Sequence, residues 1–206
     1  GDEARILVET TVRNEGRDAA DYVLERSILA ADGRPLASAP PVPAELPAGA
    51  TAVLQGTLRL ARPRLWSLED PVLHTLVTIL RQDGKVVDRS ETRFGVRTIR
   101  FDPDAGFFLN GRHVVLKGTN NHQDHAGVGV ALPDALQEFR LRRLKEMGSN
   151  AYRAAHHPPT PELLDACDRL GMLVIDENRL VGSDELHLRQ LERLILRDRN
   201  HPSVIL

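Results

Sequence analysis

The chain has 206 residues, with 27 lysines and arginines against 29 aspartates and glutamates and a formal net charge of −2. That length holds one large domain or two small ones with a substantial core. The near-balanced charge excludes a broad electrostatic field aimed at nucleic acid or anionic lipid. No apolar run approaches the roughly 18 residues a membrane helix needs, and the opening GDEARILVE lacks a signal peptide's basic start. Cys167, the one cysteine, lies in the helical pattern ELLDACDRLG and reads as a small buried apolar residue. It cannot form an internal disulfide, so the oxidation state of the compartment stays open.

In chain order, the pattern alternates up to about Arg97. ARILVETTVRN sets Ile6, Val8, Thr10 and Val12 on one face, and ATAVLQGTLRL offsets Leu54, Leu58 and Leu60 from Val53, Gln55 and Thr57. VLHTLVTIL and KVVDRSETRFGV behave similarly, with the turn signals ADGRP, PAGA and QDGK between runs. Short strands at this spacing predict an antiparallel β-sandwich of about a hundred residues. Trp66, in RPRLWSLEDP, is read as a plug at the sandwich edge in preference to a sugar-stacking platform.

After FDPDAGFFLNG the period changes. RHVVLKG is expected as a short apolar strand, and LPDALQEFRLRRLKEMG as a helix with Leu136, Phe139, Leu144 and Met147 on one stripe. NAYRAA is the next strand. TPELLDACDRLG is a helix with Thr160 as its N-cap, Pro161 at its first position and Gly171 as its stop. MLVID is a third strand, SDELHLRQLERLILRDRN a helix capped by Ser183, and SVIL the start of a fourth strand. The second half reads β-α-β-α-β-α-β, the signature of a parallel sheet.

In such sheets reactive residues collect at the carboxyl ends of strands. Three strand ends carry polar clusters: Asn120, Asn121, His122, Asp124 and His125 after the first, Arg153, His156 and His157 after the second, and Asp176, Glu177, Asn178 and Arg179 after the third. Three ends aimed at one face form a single polar pocket, although each group also has a quieter use as a turn or backbone cap. Asp176 and Glu177 are neighbours and point to opposite faces, so one of them is structural; His156 and His157 face the same constraint. His122, Asp124 and His125 match no standard zinc spacing.

The segments LWSLEDPVLHTLVTIL, ETRFGVRTIRFD, FFLNGRHVVLKGTNNHQDH, NAYRAAHHPPTPELLDACDRLGMLVIDENR and RDRNHPSVIL resemble glycoside hydrolase family 2, nearest its β-galactosidase-like members. The likeness is specific from about Trp66 onward; residues 1 to 60 match only as a generic sandwich. It implies an immunoglobulin-like β-sandwich over residues 1–98, followed over 99–206 by an incomplete (β/α)8 TIM barrel of about three and a half βα units, since a whole barrel takes roughly 250 residues. The implied activity is retaining exo-hydrolysis of terminal β-D-galactosides by two glutamates, with β-glucuronidase and β-mannosidase as alternatives. The resemblance assigns His122 to the sugar subsite, Arg153 to the catalytic carboxylates and His156 to a sugar hydroxyl. Asp124, Asp176, Glu177 and Asn178 join the expected substrate-binding and support shell. Two departures are Ala155 in place of Ser and His157 in place of Tyr or Asn.

The family's two catalytic glutamates are expected beyond Leu206, and a jelly-roll domain before the first strand, so the chain is expected to be an internal piece, inactive alone. No cofactor is expected. A structural magnesium or sodium belongs to some intact relatives, but Val181 and Ser183 stand where their magnesium ligands fall. The expected partners are a β-galactoside or related oligosaccharide, with no nucleic acid and no membrane, and self-association through the open barrel edge. Two other classes are weighed. A non-catalytic sandwich module fits the first hundred residues only, and a phosphate-binding α/β enzyme needs a glycine-rich loop that HAGVGVALPD does not supply.

Overall fold

The computed structural model describes residues 2–206, which fall into two compact units: residues up to Arg64 with His74–Phe94, and Leu65–Leu73 with Gly95–Leu206. No helix among the described residues is long and apolar enough to cross a membrane.

The first unit is a two-sheet sandwich. Strands β1 (Glu3–Arg13) and β5 (Thr51–Ala61) form one antiparallel sheet. The other runs β3 (Pro35–Ser38), β2 (Ala20–Leu29), β6 (His74–Gln82), β7 (Lys85–Phe94), with β4 (Val42–Leu46) on the same edge of β2 as β3. Alternation places Val8 and Val12 of β1 and Leu58 and Leu60 of β5 inside, as the sequence pattern predicts. Val8 and Leu58 pack with Ile28 in one core cluster, and Val12 packs with Tyr22 and Leu46 in another. The β6–β7 turn uses Asp83 and Gly84, both at positive φ, the conformation that makes Asp-Gly a tight hairpin turn.

Strand β2 escapes the sequence reading because one of its inward positions is a cation. Tyr22, Leu24, Arg26 and Ile28 all face the core, and Arg26 is 3% exposed. Its Nε donates to Thr10 Oγ1 at 3.2 Å and its Nη2 to the Leu54 carbonyl at 2.6 Å. Gly56 opposite leaves the room: a Cβ there would lie 2.4 Å from Arg26 Nη1.

The second unit begins with an antiparallel sheet of β8 (Ile99–Asp102), β9 (Gly106–Leu109) and β10 (Arg112–His113). Three parallel strands follow, β11 (Gly118–Asn121), β12 (Ala151–Ala154) and β13 (Leu173–Ile175), in that order. Helices α1 (Asp134–Glu146), α2 (Pro161–Leu170) and α3 (Glu185–Asp198) succeed them in turn. Val204 then bridges Val174 in parallel, so the SVIL segment runs alongside β13.

Tyr152 and Val174 point to one face, where Leu141, Leu164, Cys167 and Met172 cover them. Ala151 and Leu173 point to the other, against Trp66, Phe107, Leu109 and Ile205. Cys167 is fully buried, and burial followed by the Asp168 charge pushes its thiol well above its ordinary value. The native chain is therefore expected to resist iodoacetamide at pH 8 and to label fully in urea, as read by mass spectrometry.

Several sequence expectations are corrected here. Trp66 does not plug the sandwich edge: it is 0% exposed in the second unit, and its indole N–H donates to the Asp168 carbonyl at 2.8 Å. Leu65–Leu73 thus joins the parallel strands, although the sequence boundary at 98 counted it with the sandwich. RHVVLKG is not the first parallel strand. Arg112 and His113 pair antiparallel to β9, and the parallel strand is the polar GTNN of β11.

In α1 the packed face is Gln137, Leu141 and Leu144, whereas Phe139 and Met147 are exposed. Gln137 occupies a core position because its amide is satisfied, with Thr160 Oγ1 donating to Oε1 at 3.1 Å. The cap of α3 is Asp184, which accepts from the Leu186 and His187 amides, not Ser183. Helix α2 keeps its predicted ends: Thr160 accepts from the Leu163 amide and Gly171 closes the helix at φ 65°.

Candidate active site

Strand register decides which polar side chains meet. Arg153 stands opposite Asn120 on β11 and Ile175 on β13, and alternation carries the Ile175 face on to Glu177. The contacts follow that parity. Arg153 Nη1 donates to Asn120 Oδ1 at 3.2 Å, and Nη2 lies 2.9 Å from Glu177 Oε2. Oε2 is buried and, despite this ion pair, has no donor in hydrogen-bonding geometry. His156 Nδ1 sits 3.2 Å from Glu177 Oε1, and the His156 and His122 rings are 5.7 Å apart.

Residue His156 reaches this position through a left-handed backbone, φ 67°, a conformation for which histidine is one of the more tolerant side chains. Partial desolvation works to raise the Glu177 carboxyl. The His156 backbone amide, the Arg153 charge and the His156 ring outweigh it, and hold the carboxyl below the usual carboxylate range. From α1, Arg140 Nη2 donates to the His122 carbonyl at 3.0 Å and anchors the loop after β11.

Other expected residues lie elsewhere. Asp176 has the opposite parity and engages Asp198 of α3. Burial, then the hydrogen bond and charge of Asp198, raise its carboxyl to about 7. Its Oδ1 accepts the Glu177 amide at 2.8 Å. Asn178 closes a local turn, donating to the Leu180 carbonyl at 3.1 Å. Asp124 is exposed and makes no hydrogen bond or ion pair among the described residues. His157 is 5% exposed with Nδ1 3.0 Å from the Ala155 carbonyl, a backbone-satisfying role.

His122, Asp124 and His125 do not gather. Among the described residues the one group close enough to share an ion is Asp165, Asp168 and His201. There Asp168 already accepts from His201 Nδ1 at 2.6 Å and from the Ser203 amide at 3.0 Å. That Asp–His pair, the Trp66 bond to Asp168 and the role of Asn120 were not anticipated. Asn120 stands among the strand-end polar residues that the sequence singles out, and its Arg153 partner, like the other contacts, is visible only in the tertiary structure.

A β-sandwich unit followed by parallel strands whose carboxyl ends gather Arg153, His156, His122 and Glu177 is the arrangement of a sandwich domain joined to the start of a TIM barrel. The family models agree: "glycosyl hydrolases family 2" matches residues 1–97 and its TIM barrel domain matches residues 103–185. The chain belongs to glycosyl hydrolases family 2.

It is 38% identical to beta-galactosidase BoGH2A of Bacteroides ovatus over 99% of this chain and 25% of that protein. It is 35% identical to a beta-glucuronidase of Bacteroides fragilis over 98% of this chain and 31% of that one. Among solved structures, Bacteroides uniformis beta-glucuronidase 2, covalently bound to cyclophellitol-6-carboxylate aziridine, superposes with a TM-score of 0.91 at 33% identity. That match covers 99% of this chain and 25% of that one. The chain thus spans about a quarter to a third of the length of these relatives.

Proposed function

We propose that this chain supplies the sandwich module and the support shell of the active site in a longer retaining exo-glycosidase acting on a terminal β-D-galactoside. The observation that carries the reading is Glu177 clasped by Arg153 and His156, with His122 beside them, at adjoining strand ends. The same cluster suits a terminal β-D-glucuronide, and relatives of both names match at similar identity.

In this reading a retaining enzyme holds two carboxyl groups about 5–5.5 Å apart; one protonates the leaving oxygen and the other forms a glycosyl-enzyme intermediate. Asp176 and Glu177 cannot be that pair, because adjacent parity commits them to different partners. The pair therefore comes from another part of the enzyme. His122 and His156 each offer a donor and an acceptor for sugar hydroxyls. Arg153, anchored by Asn120 and Glu177, places a fixed cation beside the reacting carboxylates and favours their ionised form.

The test compares the full-length enzyme on nitrophenyl β-D-galactoside and β-D-glucuronide with the 206-residue chain on both. Turnover of the galactoside by the full enzyme alone is expected. Turnover by the 206-residue chain that Glu177→Gln abolishes would overturn the assignment.

A further inference from the structure

A cavity of about 470 Å³ lies between α3 and the loops that follow β12 and β13. Three guanidinium groups line it, from Arg179, Arg193 and Arg197, together with the amides of Asn178 and Gln190. Pro158, Leu180 and Leu194 give it apolar walls, and no carboxylate lines it. Arg197 is neutralised by Asp198, at 2.6 Å and 2.7 Å, and also donates to the Pro159 carbonyl. Arg179 and Arg193 have no side-chain hydrogen bond or ion pair among the described residues.

The other arginines within the helices are engaged. Arg142 pairs with Glu138, Arg143 with Glu146 and Arg189 with Glu185. Two other concave surfaces are acidic: one carries Asp21, Glu25, Glu45 and Asp83 against Arg81. Another carries Asp134, Glu138, Glu162 and Asp165 against Arg169. Here two unpaired cations converge on a hollow large enough for a sugar unit.

The cavity also adjoins the candidate active site along the chain. Asn178 follows Glu177 directly, and Pro158 comes two residues after His156. A guanidinium fork matches a planar carboxylate or a tetrahedral oxyanion through paired N–H donors. Amides and short apolar walls suit the hydroxyls and the C–H face of a pyranose.

We propose that this cavity is a second subsite, in which Arg179 and Arg193 read a carboxylate or sulfate group on the saccharide unit next to the one released. The inference rests on the hydrolase reading and narrows its substrate to acidic oligosaccharides. Both arginines are solvent-exposed and unpaired, so removing them leaves the fold intact, and turnover of nitrophenyl glycosides checks that directly.

The experiment measures kcat/KM of the full-length enzyme and its Arg179→Ala/Arg193→Ala variant on three substrates: a neutral nitrophenyl glycoside, and disaccharides whose reducing unit bears a uronate or a sulfate ester. A loss of about tenfold, mostly in KM, is expected on the charged substrates, with the neutral one unchanged within about twofold. The difference should shrink as salt screens the exposed pair. Loss confined to the uronate or to the sulfate ester supports the subsite and names its ligand. Equal loss on all three substrates, or no loss on either charged one, overturns it.

Failure of the parent enzyme to cleave any glycoside sinks the hydrolase reading instead. The cavity is then judged by calorimetric titration with glucuronate and a monosulfated glucose. Binding that the double variant abolishes supports the anion site, and absence of binding refutes it.

Discussion

Glu177→Gln is expected to lower kcat/KM of the full-length enzyme about a hundredfold, or about 2.7 kcal/mol of transition-state stabilisation. The substitution keeps the shape and removes the charge. The amide has one acceptor oxygen where the carboxylate had two. The 2.9 Å ion pair to Arg153 is therefore lost, and its guanidinium and the His156 ring at 3.2 Å compete for one oxygen, while Asn120 still holds the guanidinium. A displacement of about 1 Å in a positioning group is enough for a loss of that size. The effect should fall on kcat more than on KM, because the group acts on alignment.

The sign with pH follows from the lowered Glu177 carboxyl. Its clasp is present above the ordinary glutamate value of about 4.3 and is lost only as pH falls through the lowered folded value. The acid limb of the activity profile near neutrality therefore belongs to other groups. Steady-state kinetics from pH 5 to 9 test this, and an E177Q enzyme with unchanged kcat would dispose of the positioning role.

The largest stability effect is expected from Asp168→Asn, at about 3–5 kcal/mol, the range for breaking a buried charge pair from one side. Asp168 is 2% exposed. Its two carboxylate oxygens accept from His201 and the Ser203 amide, and its main-chain carbonyl takes the Trp66 indole N–H. An asparagine presents an N–H₂ to one of two donors, so one buried donor is orphaned whichever way the amide turns.

His201 adds a pH signature. Burial works to lower its pKa, but the hydrogen bond to Asp168 and that carboxylate's charge outweigh it, and the net shift is upward. A raised imidazole contributes stability that is complete below about pH 6.5 and disappears as pH climbs through the folded value. Urea denaturation at pH 6 and pH 9 should show wild-type stability falling across that interval and the variant nearly flat. A variant as pH-sensitive as wild type would contradict the pairing.

Local chemistry was legible in the sequence; tertiary chemistry was not. Helix α2 could be bounded to the residue because Thr160, Pro161 and Gly171 act within one turn of its ends. Strands β1 and β5 announce themselves by strict alternation. Strand β2 hides because Arg26 breaks that alternation, and only Thr10, Leu54 and Gly56 on other strands explain how a cation can sit inside. The polar GTNN of β11 carries no apolar signal, so the pattern points to the neighbouring RHVVLKG instead. The convergence of His122, Arg153 and His156 was readable from strand-end logic. That Asp176 and Glu177 diverge was readable too. Which one faces Arg153 was not, since that needs the pairing of Arg153 with Ile175.

Gly118 opens β11, and a methyl group built on it would sit 2.2 Å from the Ala151 carbonyl oxygen. No rotamer or small rearrangement relieves an overlap with main chain on the adjoining strand. In a saturation-mutagenesis screen scored by activity, Gly118 should therefore stand out as intolerant as Arg153, and an observer ranking positions by sensitivity would mistake it for chemistry. Assaying soluble yield alongside turnover separates the two: alanine at 118 depletes the protein itself, whereas lysine at 153 leaves its abundance intact.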